Sequence, residues 1–113
     1  MKKVTVKIEV KKLLQYREFD RVAKPAPKIP FVQSYSMPEV IQWVAANGIE
    51  QPLELSVFGS SALLTDGNHR LAAADHLGIK EVPVDVVYYD SFEQLSAAFY
   101  QHTIDRFKPF ERL

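Results

Sequence analysis

The sequence predicts a small α/β (α+β) domain in which a mixed sheet is packed with helices. Stretches with strand-like alternation and stretches with helical start and stop signals follow one another in the order β, loop, α, β, β, α, β, α. Apolar residues make up 47% of the 113 residues, which is enough to build one compact core. We therefore expect a single domain over residues 1–113.

Four segments have the composition and alternation of strands. Residues 4–10 alternate apolar with polar side chains, and residues 53–57 place leucine and valine on one side. Residues 62–65 and 82–88 give the other two strands. Residues 59–61, with the sequence Gly-Ser-Ser, form a short turn between the second and third strands, which predicts a hairpin.

Three helices are predicted from their start and stop signals. Residues 36–48 begin with a capping box of Ser36 and Glu39 and end at Gly48. Residues 68–77 form the second helix, whose three consecutive alanines suggest close packing on the sheet. The third helix follows a second capping box, which begins at Ser91, and its predicted inner face carries three apolar side chains. These are Phe92, Leu95 and Phe99.

The remaining aromatic residues and the connecting segments complete the predicted architecture. We expect Trp43 to belong to the core, like the aromatic residues of the third helix, rather than to a platform that stacks bases. One of Tyr88 and Tyr89, which end a strand, is expected to face a cleft. Residues 16–35 predict a long ordered loop, of a length that is often functional, and residues 106–113 predict a short tail.

Composition excludes several classes of function. Cysteine is absent, which rules out a disulfide framework, thiol catalysis and cysteine-based metal sites. No segment has the roughly 20 apolar residues needed to cross a membrane, and the first residues lack the apolar core of a signal peptide. We therefore expect a cytoplasmic protein with no membrane partner.

Charge is balanced in total but uneven along the chain. The formal net charge is zero, yet residues 1–30 hold nine Lys and Arg against three acidic residues. A basic segment favours an anionic partner or folds back onto the acidic remainder. Because the whole chain is not strongly basic, nucleic-acid binding is possible but not favoured. The spacing around His76 and His102 matches no metal site, so no metal is predicted there.

The strongest indication of function lies between Thr65 and Arg70. A short apolar run ends there, a glycine follows, and a helix opens with a His-Arg pair in its first turn. The first N–H groups of a helix have no partner inside it and carry the positive end of the helix dipole. The adjacent Gly67 lets an anion approach the backbone, and the Arg70 guanidinium suits phosphate. The stretch therefore predicts a phosphate or carboxylate site.

Each of these residues also has a structural alternative. Arg70 binds the anion or forms a salt bridge to an acid such as Asp66. His69 hydrogen-bonds phosphate or moves a proton, or it braces the loop as a buried histidine. Asp66 holds Mg²⁺ or accepts a hydroxyl proton, or it caps the helix. Asn68 orders the loop and offers an amide to the anion, and Thr65 offers a hydroxyl.

Two blocks of the sequence, residues 37–53 and residues 65–84, resemble the ParB/sulfiredoxin superfamily. The first has a helix, a glycine turn and a Gln-Pro entry into a strand. The second has a Gly-x-x-Arg loop, a helix, Leu-Gly and then Val-Pro-Val. The resemblance covers about residues 36–88, and the strand predicted over residues 4–10 fits the family's first strand. It implies a fold that holds the triphosphate of ATP or CTP with Mg²⁺. The residues implied in binding are Thr65, Gly67, Asn68, His69 and Arg70.

Departures from the family pattern narrow the expected function. Asn68 stands where sulfiredoxins have their catalytic cysteine, so sulfiredoxin chemistry is excluded. The His69-Arg70 pair is closer to the sulfiredoxin and free-serine kinase branches than to ParB. No helix-turn-helix domain is expected within this chain. ParB also uses an arginine after the first strand, for which Arg17 and Arg21 are the candidates.

Three functions stay open at this point. The first is a nucleotide-binding domain. The second is an enzyme, a phosphotransferase or nucleotide hydrolase, in which Asp66 or His69 acts on a small hydroxyl substrate. The third is an accessory protein with a decayed site, of a phage or mobile-element type, that binds protein or nucleic acid. The sequence does not determine an oligomeric state.

Overall fold

The computed structural model describes residues 1–17 and 37–111. Five strands are present in this part of the chain: β1 (Lys2–Glu9), β2 (Leu53–Phe58), β3 (Ser61–Asp66), β4 (Glu81–Tyr89) and β5 (Lys108–Pro109). The α-helices are α1 (Val10–Leu13), α2 (Met37–Asn47), α3 (Asn68–His76), α4 (Phe92–Ala98) and α5 (Gln101–Ile104), and a 3₁₀ turn covers Leu14–Tyr16. The predicted capping residue Ser36 and most of the predicted loop over residues 16–35 lie outside the described residues.

The strands form one mixed sheet in the order β1-β4-β2-β3-β5. Strand β4 is antiparallel to β1 and parallel to β2, and β2 and β3 form the predicted antiparallel hairpin. A register shift between Glu54 and Leu55 marks an irregularity in the hairpin near its open end. The predicted α/β class with a mixed sheet is therefore confirmed.

The main core lies on the face of the sheet that α1 and α3 cover. Alternate residues of β2 and β4 point into it because successive side chains of a strand alternate between the two faces. Its fully buried members include Leu53, Leu55, Leu71 and Val84. The three alanines of α3 are buried, but only Ala74 joins this core beside the sheet, as predicted, and α3 packs more on α2 than on β2. The Gln-Pro block thus enters the sheet beside the helix that carries the Gly-x-x-Arg loop.

The opposite face of the sheet has a smaller apolar cluster. Val87, Tyr89 and Leu95 form its buried part, and Phe99 and Phe107 pack against it. The predicted cap at Ser91 is present, since its hydroxyl accepts the Gln94 backbone N–H at 3.2 Å. Helix α4 therefore begins where the sequence indicates and covers this face through Leu95.

The structure differs from the predicted elements at the end of β1 and in the segment after α5. Val10 begins α1 instead of ending β1: its amide still donates to the Lys80 carbonyl at 2.8 Å, and its buried side chain belongs to the main core. The predicted tail contains β5, which pairs with β3 at Ser61 and Ala62. Two residues are too short a strand to show an alternating pattern in the sequence.

Two predicted core aromatic residues are exposed. Trp43 is 65% exposed, since α2 buries the neighbouring Val44 and one residue along a helix turns the side chain by about 100°. Phe92 is 51% exposed in the first turn of α4 and contacts only the ring of Phe58 among described aromatic residues, with centroids 6.5 Å apart. The core predictions for Trp43 and Phe92 were wrong.

Candidate functional site

The loop between β3 and α3 has the backbone geometry that the sequence predicts. Strand β3 ends at Asp66, Gly67 is the N-cap residue with φ +94°, and α3 begins at Asn68. The first backbone bond of the helix runs from the Leu71 N–H to the Gly67 carbonyl at 2.8 Å. Within the described residues, no hydrogen bond reaches the backbone amides of His69 and Arg70. Two amide donors at the positive end of the helix thus have no partner among the described residues.

Glycine is required at position 67 on two grounds. Its φ of +94° lies in the left-handed region, a backbone conformation that residues other than glycine rarely adopt. A Cβ at this position would also lie 2.6 Å from Cγ of Leu53, which is fully buried at the start of β2. The loop is therefore pressed against the first residue of β2.

Arg70 is held by protein groups on both sides. Its Nη1 donates to the Gln51 carbonyl at 2.7 Å, and its Nη2 donates to Asp66 Oδ2 at 3.3 Å. The salt-bridge alternative for Arg70 is therefore present in the structure. Because a guanidinium has five N–H donors, these two bonds leave others unused. The arginine thus links the Gln51 backbone, at the entry to β2, to the Gly-x-x-Arg loop.

Asp66 and His69 lie at the exposed side of the same loop. The Asp66 side chain is 70% exposed and contacts Arg70. Helix α3 has no side-chain cap, so the capping alternative for Asp66 was wrong. His69 is exposed rather than buried, so the bracing alternative for His69 was wrong as well. Both side chains can be reached by a molecule bound at the start of α3, and their catalytic roles stay predictions.

Asn68 and Thr65 are directed into the protein framework. Asn68 is 8% exposed and its Nδ2 donates to the Leu64 carbonyl at 2.9 Å, so it orders the loop as predicted. The Thr65 hydroxyl lies 2.8 Å from the Ser56 hydroxyl and 3.5 Å from the Glu54 carbonyl. It is thus engaged with β2, and an anion at the start of α3 would have to compete for it.

Arg17 lies beside the strand that leads into the loop. Its backbone forms an isolated bridge with Leu64, and its carbonyl accepts a bond from Lys108 Nζ at 2.8 Å. Its Nε is buried and has no hydrogen-bond partner among the described residues. Burial lowers the pKa of Arg17, and the nearby Asp75 carboxylate acts in the opposite direction. Arg21, the other candidate from the resemblance, lies outside the described residues.

A buried polar row that the sequence analysis missed crosses the sheet behind the loop. Ser56 is fully buried on β2, between Thr65 of β3 and Tyr89 of β4. Burial raises the pKa of the Tyr89 phenol, the Ser56 hydroxyl lowers it in part, and Glu54 raises it. The only signal in the sequence is a serine inside an apolar strand.

The described residues hold no group of three or more His, Asp or Glu side chains placed to bind a metal ion. None of the helices in the same part of the chain combines the length and the apolar character that a bilayer span requires.

Comparisons with known proteins identify the fold. No family model matches the sequence, and no curated protein matches it. A solved structure described as a Pnob8-like ParB-N domain is similar, with a TM-score of 0.57 and 21% sequence identity. The similarity covers 86% of this chain and 34% of that chain, so this chain spans about a third of its length. The chain therefore has a ParB-N-like fold.

Proposed function

We propose that this chain binds the phosphates of a nucleotide, ATP or CTP, at the loop between β3 and α3. The proposal depends on the geometry and the hydrogen bonding of the backbone from Gly67 to Arg70. This segment starts a helix at a left-handed glycine and has two amides, those of His69 and Arg70, without a hydrogen bond within the described residues. Such helix starts attract phosphate through their N–H groups and the helix dipole.

Arg70 supports the proposal because its present ionic partner is easily replaced. Its contact with the 70% exposed Asp66 side chain is an exposed ion pair, and such pairs contribute about 0–1 kcal/mol. A phosphate offers more charge and several acceptor oxygens on the same side of the guanidinium. The shorter bond to the Gln51 carbonyl keeps the guanidinium at the loop while its ionic partner changes.

Asp66 supports a nucleotide that arrives with Mg²⁺. Its carboxylate contacts Arg70 and would oppose the binding of a bare phosphate at the proposed site. Mg²⁺ is usually held by one or two carboxylates together with phosphate oxygens. The described residues provide no larger cluster of acids here, so the ion would come with the nucleotide and face Asp66.

Titration calorimetry with ATP and CTP, each with and without Mg²⁺, tests the proposal. We expect saturable binding of at least one nucleotide, tighter when Mg²⁺ is present. Absence of binding at millimolar concentrations of both nucleotides would contradict it.

A second candidate function is favoured by the same Arg70 contacts. In this alternative the loop is closed by Asp66 and Gln51, and the chain is an accessory protein that binds protein or nucleic acid. The calorimetry separates the two candidates, because a closed loop gives no heat with any nucleotide. Binding of DNA that weakens steeply with salt would support the accessory function.

Phosphotransfer or hydrolysis by Asp66 and His69 stays a prediction, and a turnover assay with the bound nucleotide tests it.

A further inference from the structure

Strand β1 forms an edge of the sheet whose outer backbone groups follow a defined pattern. It is last in the strand order and pairs, among the described strands, only with β4, in register from Lys2 to Glu9 without a bulge. The Val10 amide, which continues this register, donates to the Lys80 carbonyl opposite it. Bonded positions alternate along an antiparallel pair, so the even-numbered residues of β1 bond to β4. The odd-numbered residues therefore offer their N–H and C=O groups to a further strand.

This edge borders accessible apolar surface. Val4 and Val6 of β1 and Val86 and Tyr88 of β4 line a groove of 690 Å³ beside it. Val6 is 39% exposed and Tyr88 is 40% exposed. The groove is also lined by charged side chains of both signs, which are Lys7, Glu9, Lys12 and Glu81. An occupant of the edge must therefore bring apolar side chains and match a mixed set of charges.

Two of the acidic side chains oppose each other within the chain. Glu9 lies directly opposite Glu81 in the register of β1 and β4, and like charges at opposite positions of neighbouring strands are destabilising. Neither glutamate, nor Lys7, forms an ion pair with any residue that the structure describes. The edge thus has two carboxylates that lack a cation and a lysine that lacks an anion.

A second copy of β1 matches this edge in one register. Two copies related by a two-fold axis perpendicular to the sheet pair antiparallel, and each face of the strand stays on its own side. With the axis at Val6, apolar residues lie opposite apolar residues, and no two like charges lie opposite each other. The opposed pairs are then Val6 with Val6, Val4 with Ile8, Lys3 with Glu9, and Thr5 with Lys7.

The neighbouring registers bring lysines together. An axis at Thr5 places Lys3 opposite Lys7, and an axis at Lys7 places its two copies opposite each other. Both arrangements are destabilised by like charge. An axis nearer either end of the strand pairs fewer residues than the range 3–9. The pattern of charges along β1 therefore selects a single register for self-pairing.

In this register the second copy also supplies the missing ion pairs. Lys3 of one copy faces the two opposed glutamates of the other. Thr5 lies opposite Asp85 and its hydroxyl donates to that carboxylate, so Lys7 of one copy lies beside Thr5 and extends towards Asp85 of the other. Lys3 contacts Asp85 of its own chain at 3.7 Å, and Lys7 of the second copy replaces it there when Lys3 turns to the glutamates.

We propose that the β1 edge binds the β1 edge of a second copy of this chain, antiparallel and with the two-fold axis at Val6. The two sheets become one continuous sheet, and the apolar side chains of the second β1 extend over the groove beside Val6 and Tyr88. The nucleotide loop takes no part in this contact, so the inference does not rest on the proposed function.

Sedimentation velocity and hydrogen exchange test the dimer on the unchanged chain. Between micromolar and millimolar concentrations we expect a monomer–dimer equilibrium. The amides of Thr5 and Lys7 face outward and become bonded in the dimer, so their exchange is expected to slow as the protein concentration rises. The Val4 and Val6 amides already bond to β4 and serve as the internal control. A monomer at millimolar concentration, or a dimer with unchanged Thr5 and Lys7 exchange, would overturn the proposal.

A cysteine at position 6 tests the register. The chain has no cysteine of its own. In the proposed register the two copies of residue 6 form a pair without hydrogen bonds, whose Cα atoms are about 4.5 Å apart, within the range of about 4.4–6.8 Å for disulfides. Val6→Cys is therefore expected to form a covalent dimer under mild oxidation faster than Ala97→Cys, at an exposed position of α4. Equal rates for the two variants would contradict the register.

Exchanged charges test the contact of Lys3 with Glu9. Glu9→Lys alone places lysine opposite Lys3, and Lys3→Glu alone places glutamate opposite Glu9. Each variant is expected to dimerise about tenfold more weakly, the effect of losing two exposed ion pairs together. A one-to-one mixture of the two variants restores both pairs in a mixed dimer, and association is expected to return to that of the unchanged chain. A variant that merely fails to fold would not be rescued in this way.

The control for the mixture carries the same net charge elsewhere. The double variant Ala97→Glu, Ala98→Glu changes the net charge by two units, as Lys3→Glu does, at exposed positions of α4. Mixed with Glu9→Lys, it is expected to associate less than the Lys3→Glu mixture. Equal association of the two mixtures would overturn the proposal, because the attraction would then depend on net charge and not on β1.

Discussion

At the scale of single residues, Gly67 combines a backbone requirement with a packing requirement. The left-handed φ alone would disfavour any side chain, and the buried Leu53 leaves no space for one. These two effects can be separated, because Gly78, at the other end of α3, has φ +73° and open space around it.

Gly67→Ala is expected to destabilise the protein more than Gly78→Ala does. Both variants carry the cost of a left-handed alanine, about 1–2 kcal/mol, and only Gly67→Ala adds the contact with Leu53. Urea denaturation measures the free energy of unfolding of both variants. Equal losses would show that the loop is not pressed against β2.

Asp66 and a bound phosphate compete for Arg70 if the proposed function is correct. Asp66→Asn is therefore expected to strengthen binding of inorganic phosphate without Mg²⁺ and to weaken binding of the Mg²⁺–nucleotide. Glu93→Gln makes the same change of charge at an exposed position of α4, and we expect it to alter neither. Calorimetry on the two variants checks this, and identical behaviour of Asp66→Asn and Glu93→Gln would contradict it.

At the scale of elements, the sequence predicted the elements that carry long and regular patterns. β1, β2, β4 and α3 were found within one or two residues of their ends because alternation, glycine stops and capping residues are local signals. The start of α3 at Asn68, which defines the candidate site, depends on such a signal.

The sequence could not predict contacts that depend on tertiary packing. The strand β5 forms because Lys108 and Pro109 meet the edge of β3, and two residues have no periodicity. Trp43 is exposed because α2 packs through Val44, which the composition of the helix does not show. At the candidate site, the residues proposed to donate to an anion could be named from the sequence. The Gln51 carbonyl that accepts from Arg70 could not, because it is a backbone atom without a sequence signal.

The buried row across β2, β3 and β4 predicts an alkaline limit to stability. Because burial raises the pKa of Tyr89, the folded protein keeps the phenol proton at a pH where the unfolded chain loses it. The free energy of unfolding is then unaffected below about pH 10, the ordinary pKa of tyrosine, and falls as the pH rises above it.

Tyr89→Phe is expected to make this fall less steep, since phenylalanine has no proton to lose. Tyr100→Phe is the control, because it makes the same substitution at a position that is 79% exposed. Urea denaturation between neutral and alkaline pH measures the slopes. A Tyr89→Phe slope equal to that of the unchanged protein would contradict the assignment.

At the scale of the whole molecule, the segment after α5 packs against two distant parts of the chain, the turn after α1 and the hairpin between β2 and β3. Lys108 Nζ donates to the Arg17 carbonyl, the Phe110 amide donates to the Ser60 carbonyl at 2.7 Å, and the ring of Phe110 contacts Tyr16 at a centroid distance of 5.7 Å. These contacts close the sheet edge next to β3.

Phe110→Ala is expected to lower the free energy of unfolding by about 2 kcal/mol, less than the 3–5 kcal/mol typical of a fully buried phenylalanine, because Phe110 is half-buried. Tyr100→Ala, at an exposed position, is expected to change it by no more than about 0.5 kcal/mol. Urea denaturation compares the two, and similar losses would show that the chain end does not stabilise the fold.

We propose that the start of α3 receives phosphate. A titration of the ¹⁵N-labelled protein with Mg²⁺–ATP and Mg²⁺–CTP, followed by NMR, tests this residue by residue. Saturable shifts of the backbone amide signals of His69 and Arg70 are expected with at least one nucleotide, larger than the shifts of the β1 amides. Unchanged His69 and Arg70 signals at millimolar nucleotide, or shifts confined to other parts of the sheet, would contradict it.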